Sequence, residues 1–263
     1  MTRSDKSVAE HAEARVTGAA PAGARDEARA ADAVREMFSS IAPRYDLLNH
    51  VLSMNVDRLW WNRTARSFRE ILQRPGVQVL DLCCGTGDMT FALYRRMASS
   101  GQLWGADFSH PMLVRAREKS GRRNVRWVEA DALHLPFGQD TFQLVTAAFG
   151  FRNLANYDHG LAEIHRVLAP GGEAGILDFG EPKGMVGRLY RIYFRQVLPR
   201  VGTLISGVRG PYAYLPASVQ RFPPPDEMLQ RMRAAGFWDV SWTPYTFGIA
   251  GLYRGKKAAP AER

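Results

Sequence analysis

Cysteine is nearly absent: 263 residues hold two, adjacent at Cys83 and Cys84, which excludes a disulfide framework. A reducing, cytosolic compartment fits that usage. The six histidines are scattered, and no Cys/His run has metal-ligand spacing, so no metal is expected. No apolar run approaches ~18 residues, so no membrane-spanning helix is expected. Residues 1–33 are Ala-rich and poor in large apolar groups, and they lack the apolar block of a secretory signal. Interspersed acids (Asp5, Glu10, Glu13, Asp26, Glu27) argue against a transit peptide. This stretch is read as a disordered leader. Acids are also missing from Gly184 to Arg221, an unusually long gap.

What is present is strongly patterned. Hydrophobic residues make up 46% of the chain, enough for one sizeable core, and the formal charge of +9 suits anionic partners. The apolar run Val77-Gln78-Val79-Leu80 leads into Asp81, then the turn Gly85-Thr86-Gly87. Asp88 and the periodic Met89, Phe91, Leu93 and Met97 follow. That order predicts a buried strand, a glycine turn and a helix capped by Asp88.

The turn is not a dinucleotide fingerprint, because Thr90 stands where the third glycine belongs. It also lacks the Gly-Lys-Ser/Thr of a phosphate-cradling loop. Asp81 instead offers a carboxylate, which repels a pyrophosphate but suits a cation or an amino group. S-adenosylmethionine carries both. Asp107 ends a second strand-like run (102–107), where an acid suits two ribose hydroxyls. Asp131 and Ala132 follow a third (125–130), where an acid can accept from an adenine amino group. Three acids at successive strand ends beside one glycine turn point to a class I methyltransferase. Gly85, Thr86 and Gly87 are the expected turn contacts.

The remaining pattern alternates. Helices are expected over Pro111–Lys119 and Asn156–Leu168, and strands over Phe142–Phe149 and Glu173–Phe179, with Pro170-Gly171-Gly172 as the stop between. A helix at Glu227–Ala235 precedes two more strand-like runs, Phe237–Thr243 and Thr246–Tyr253, read as an antiparallel hairpin at the sheet edge. The expected fold is α/β: a doubly wound, mostly parallel, seven-stranded sheet, with ligands beyond the carboxyl ends of the strands.

These segments together resemble the quinone-biosynthesis C-methyltransferases, the demethylmenaquinone and ubiquinone enzymes. One signature is Tyr45-Asp46-Leu47-Leu48-Asn49 with Leu52-Ser53 and Trp60. Another runs from Arg166 through Pro170-Gly171-Gly172 to Leu177-Asp178. Between them lie Asp81–Asp88, Leu135-Pro136-Phe137 and Phe149-Gly150-Phe151-Arg152-Asn153. The chain departs from the family's common pattern at Leu48, Asp57, Ala148, Ala169, Asp178 and Gly180.

The resemblance implies methyl transfer from S-adenosylmethionine to a ring carbon of a polyprenyl hydroquinone, naphthoquinol first and benzoquinol as the alternative. It nominates Arg152, Asn153 and Tyr45 as catalytic, with Arg152 stabilising the ring oxyanion directly or through a water. Asp57, Tyr45 and Asp46 are the alternative base or hydrogen-bonding groups. It covers residues 34–257: a helical lid at 34–76, the basic stretch 183–221, and a loose tail at 258–263. Aromatic and aliphatic groups interleave with arginines in 183–221, which reads as a basic amphipathic surface for an anionic membrane. A cytoplasmic protein, peripheral at the inner membrane face, is expected. No nucleic-acid partner is expected, because neither an Asn-Pro-Pro-Tyr-like loop nor a Pro-Cys pair is present. A homo-oligomer is left open.

Overall fold

A computed structural model describes residues 17–19, 26–42, 55–180, 182, 184, 187–188 and 211–259. The elements run α1 Glu27–Ile41, α2 Val56–Ser67, α3 Arg69–Leu72, β1 Gln78–Leu82, α4 Asp88–Tyr94, β2 Gln102–Asp107, α5 His110–Ser120 and β3 Val125–Glu129. They continue with β4 Phe142–Ala148, a 3-10 turn Phe151–Asn153, α6 Tyr157–Val167, β5 Leu168–Phe179, α7 Pro211–Arg221 and α8 Pro225–Ala234. The last are β6 Trp238–Tyr245, a second 3-10 turn Thr246–Gly248, and β7 Ala250–Lys256.

The seven strands form one sheet in the order β3-β2-β1-β4-β5-β7-β6. Strands β1 to β5 pair in parallel, and β7 is antiparallel to both of its neighbours. The order reverses between β1 and β4, which places the switch-point crevice there. The C-terminal hairpin closes the edge as expected, with β7 inserted beside β5 and β6 outermost.

Alternating side chains build two cores. Leu80, Val145 and Ile176 face α6 and α8, packing with Leu161, Ile164, Met228 and Met232. Val79, Leu103, Leu144 and Leu177 face the opposite layer, packing with Trp60, Trp61, Phe68 and Leu72 from α2 and α3 and with Leu93 from α4. The expected lid is therefore divided. Helices α2 and α3 pack mainly in the core, with Trp60 of α2 reaching Phe149 at the end of β4, and α1 lies against the carboxyl ends of the strands through Ala31 and Phe38. Residues 43–54 lie outside the described residues.

Several boundaries differ from expectation; the last strand, for one, begins at Ala250 after a 3-10 turn and not at Thr246. The stretch read as a leader is ordered where it is described: Gly18 and Ala19 donate their N–H groups to the Ala155 and Leu154 carbonyls, and α1 begins at Glu27, capped by Asp26, which accepts from the Arg29 N–H at 2.8 Å, with Ala30 and Val34 buried. Strand β5 begins at Leu168 and does not wait for Glu173. A register shift against β4 absorbs Pro170–Gly172, and Gly171, at φ 74, donates its N–H to the Lys257 carbonyl. The cap of α4 is Gly87, at φ 90, and Asp88 is the first helical residue.

Candidate active site

The carboxyl ends of β1, β2, β3 and β4 converge on a cleft of about 720 Å³, counting its open mouth. Leu82 and Cys83 come from β1, Asp107 and Phe108 from β2, Asp131 and Ala132 from β3, and Phe149, Gly150 and Asn153 from β4. Ala31 and Phe38 of α1 close one side.

Asp107 is the best-built polar group there. One carboxylate oxygen accepts the Gly85 N–H at 2.8 Å and the other the Ser109 N–H at 2.9 Å. The Phe108 N–H also acts on this carboxylate, and of the four acceptor sites on its two oxygens the backbone leaves capacity for a ligand hydroxyl. Burial pushes the Asp107 carboxyl up to about 6, against the pull of those backbone donors.

Asp131 also reaches the cleft. Its Oδ1 accepts the Leu133 N–H at 2.9 Å, and its Oδ2 lies 3.6 Å from His134 Nδ1. Ala132 and Leu133 are buried in the wall beside it. Of the glycine turn, Gly85 lines the cleft, with φ at 54. Thr86 and Gly87 do not. Thr86 is buried and accepts from Lys119 Nζ at 3.1 Å, and the same ammonium pairs with Asp88 at 3.0 Å. Gly87 approaches Trp127 too closely to carry a side chain without a shift.

Asp81 is not brought to the cleft. It is fully buried, accepting from Thr146 Oγ1 at 2.8 Å and from Thr90 Oγ1 at 2.5 Å. It braces β1 to β4 and α4. Burial raises its carboxyl to about 7, although both hydroxyls pull it down. Cys83 and Cys84 are free thiols whose pKa values burial lifts well above the ordinary range. Neither is therefore a thiolate nucleophile at neutral pH.

Arg152 is likewise turned inward, 5% exposed and away from the cleft lining. Its guanidinium pairs with the buried Asp178 at 2.8 Å, also donates to the Phe149 carbonyl, and lies 5.1 Å from the Phe179 ring centre. A buried charge requires such a partner, so the expected direct contact with a substrate oxyanion is not what the geometry provides. The Arg152 Nε is buried with no hydrogen-bond partner among the described residues. Asn153 does line the cleft, with its Oδ1 accepting from Tyr214 Oη of α7 at 3.2 Å. Asp57 is buried in the first turn of α2 and receives the Arg58 N–H at 2.7 Å, away from the cleft. Tyr45 and Asp46 lie outside the described residues.

Sequence reasoning missed Phe108, Met112, Gly150 and Cys83 as wall residues. Phe108 carried a usable signal, since it directly follows the strand-ending Asp107. Among the described residues, no group of three or more His, Cys, Asp or Glu side chains is arranged to hold a metal ion.

Comparison with known proteins agrees with this fold. A methyltransferase from Aquifex aeolicus, solved as a SAM-dependent methyltransferase, shares the fold at a TM-score of 0.54 and 18% identity, covering 73% of this chain and 88% of that one. The demethylmenaquinone methyltransferase of Deinococcus radiodurans is 50% identical over 228 residues, 86% of this chain and 92% of its own length. That of Thermus thermophilus is 49% identical over 224 residues, 84% of this chain and 100% of its own. The ubiquinone/menaquinone biosynthesis C-methyltransferase UbiE of Geobacter sulfurreducens is 42% identical over 231 residues, 85% of this chain and 88% of its own. The ubiE/COQ5 methyltransferase family model matches residues 24–257, so a chain that carries this sheet, this cleft and this length of match belongs to the ubiE/COQ5 methyltransferase family.

Proposed function

We propose that the chain methylates a ring carbon of a demethylmenaquinol, with S-adenosylmethionine as methyl donor. The observation that carries this reading is the Asp107 carboxylate, oriented by backbone N–H groups at the end of β2, in a cleft that also exposes Asn153. That donor set fits the methyl donor. Asp107 would take the ribose hydroxyls, Asp131 and Ala132 the adenine, and Gly85 would leave the main chain open to close approach. Once bound, the donor supplies an electrophilic methyl on a positive sulfur.

The protein's part is to orient the ring, exclude water, and support the negative charge that a quinol oxygen carries after losing its proton. Asn153 lines the cleft, and its amide would hydrogen-bond that oxygen. Arg152, one residue away but behind the wall, acts as a positioning residue: its pair with Asp178 ties the β4 end to β5. Tyr45 is the proposed further hydrogen-bonding or basic group. The naphthoquinol is preferred because the relatives at 50% and 49% identity are demethylmenaquinone methyltransferases, while the protein at 42% carries the wider ubiquinone/menaquinone name. Residues 183–221 would contact the anionic membrane face that presents such a lipid, with the protein otherwise in the cytoplasm.

The experiment is an anaerobic assay of purified protein with the methyl donor and either a demethylnaphthoquinol or the corresponding benzoquinol. A new ring methyl on the naphthoquinol is expected. Methylation of neither ring overturns the proposal, and benzoquinol alone corrects the substrate.

A further inference from the structure

Four large apolar side chains are exposed among the described residues. Two of them, Leu59 at 67% and Phe247 at 81%, stand on elements that are joined to each other. Each is one residue from the hydrogen bond that joins their elements, Trp60 Nε1 to Thr246 Oγ1 at 2.8 Å. Phe247 is not a loose tip. Thr246 and Phe247 have consecutive left-handed backbones, φ 45 and 58, which L side chains rarely adopt. The turn is fixed by the Ile249 N–H on the Thr246 carbonyl at 3.1 Å and the Gly180 N–H on the Ile249 carbonyl at 2.9 Å. Strained, well-anchored backbone that holds an aromatic ring in water calls for a function.

The surroundings are basic. The exposed face of α2 carries Arg58 and Leu59, then Arg63 and Arg66 one and two turns on. From Arg58 to Arg69 the sequence has no acid, and Asp57 is buried. The Arg63 guanidinium lies 4.1 Å from the Tyr245 ring centre, at the entry to the turn. Strand β6 runs in the same direction as β5, so this turn stands at the edge of the sheet where the cleft opens. Trp60 packs on Phe149 at 5.7 Å between ring centres, and Phe149 lines the cleft. Trp60 therefore links the cleft wall to the helix that carries Leu59 and, through its hydrogen bond to Thr246, to the turn that carries Phe247.

We propose that Leu59 and Phe247, framed by Arg58, Arg63 and Arg66, form a docking face for an anionic phospholipid bilayer that sets the cleft mouth against the membrane. The choice of occupant rests on the polyprenyl-quinol reading above. Charge supports it independently. Lipid phosphates complement an arginine face, whereas a two-fold contact with a second copy would set arginine against arginine. The apolar pair would enter the headgroup boundary while the arginines meet phosphate.

The test uses full-length protein sedimented with phosphatidylcholine vesicles, with and without phosphatidylglycerol, and with no quinol or methyl donor present. Binding should favour the anionic vesicles and weaken with added salt. The pair Leu59→Ser/Phe247→Ser and the triple Arg58→Gln/Arg63→Gln/Arg66→Gln should each lower the partition coefficient at least about tenfold. Their melting temperatures should match the parent's. Equal partition of parent and both variants overturns the proposal. So does a change in oligomeric state on substitution with vesicle binding unaltered. Methyl transfer to a short-chain quinol is measured separately: its absence with vesicle binding intact overturns the substrate reading alone.

Discussion

Arg152 Nη1 lies 2.8 Å from Asp178 Oδ1 inside the protein, and the Arg152 backbone N–H donates to the other carboxylate oxygen at 3.1 Å. Two strand ends, those of β4 and β5, are locked by this one residue pair. Removing one partner of a buried pair strands the other charge, at a cost of about 3–5 kcal/mol. Arg152→Gln should therefore destabilise by that order and lower turnover strongly, while donor affinity, set by Asp107, changes little. Asp178→Asn should behave similarly, and the double variant should cost clearly less than the two singles together. Urea unfolding of all four proteins measures this, and strict additivity would sink the buried-pair account.

Asp107 should control donor affinity. An amide at that position presents a donor where Gly85 and Ser109 already donate, so Asp107→Asn loses at least one charge-assisted bond. A drop of at least about tenfold is expected by calorimetry. Affinity should also fall as pH drops through about 6, where the parent carboxyl takes up its proton. The Asn variant should lack that inflection.

Asp81 should make stability fall as pH rises. Its carboxyl titrates near 7 in the folded protein against an ordinary value of 3.8. Below the ordinary value both states are protonated, and burial carries no charge penalty. Between the two values the unfolded chain ionises first, so stability declines. Above about 7 the loss is complete and constant. Asp107, raised to about 6, adds to the same trend. Asp81→Asn should flatten the profile and should match or exceed the parent at pH 8, since rotatable Thr90 and Thr146 hydroxyls can serve an amide. Chemical unfolding across this pH range decides it: an unchanged slope means the residue is not the source.

Asp81 also marks where sequence reading stopped. Its position at a strand end was legible, as were those of Asp107 and Asp131, because apolar runs and glycine turns are local. Whether the carboxylate faces ligand or core is not local. It depends on Thr146, 65 residues away on β4, and on Thr90 of α4. Arg152 has the same history, since Asp178 lies 26 residues on. By contrast, α1 was readable. Asp26 caps it, and Ala30, Val34 and Ile41 fall on one face; its second half, from Val34, is legible as a helix, while the Ala-rich composition of 27–33 masks the first half.

Gly150 sets the last expectation. It lies at the cleft between two left-handed residues, Phe149 at φ 58 on its own chain and Cys83 at φ 52 across the gap. A Cβ at Gly150 would stand 2.3 Å from the Cys83 Cβ. No real contact is that short, so one of the two loops must move. Both loops are anchored, the first by the Cys84 N–H on the Ala106 carbonyl at 3.0 Å and the β4 loop by the Phe149 N–H on the Leu177 carbonyl at 2.7 Å, so the clash strains both. Gly150→Ala should cost about 1–3 kcal/mol of stability by overpacking. It should also displace Asn153, which follows in the same loop, and so lower turnover more than donor affinity. Measuring kcat beside the donor Kd checks this, and an alanine variant with parental stability and turnover would mean the two loops are not closely packed.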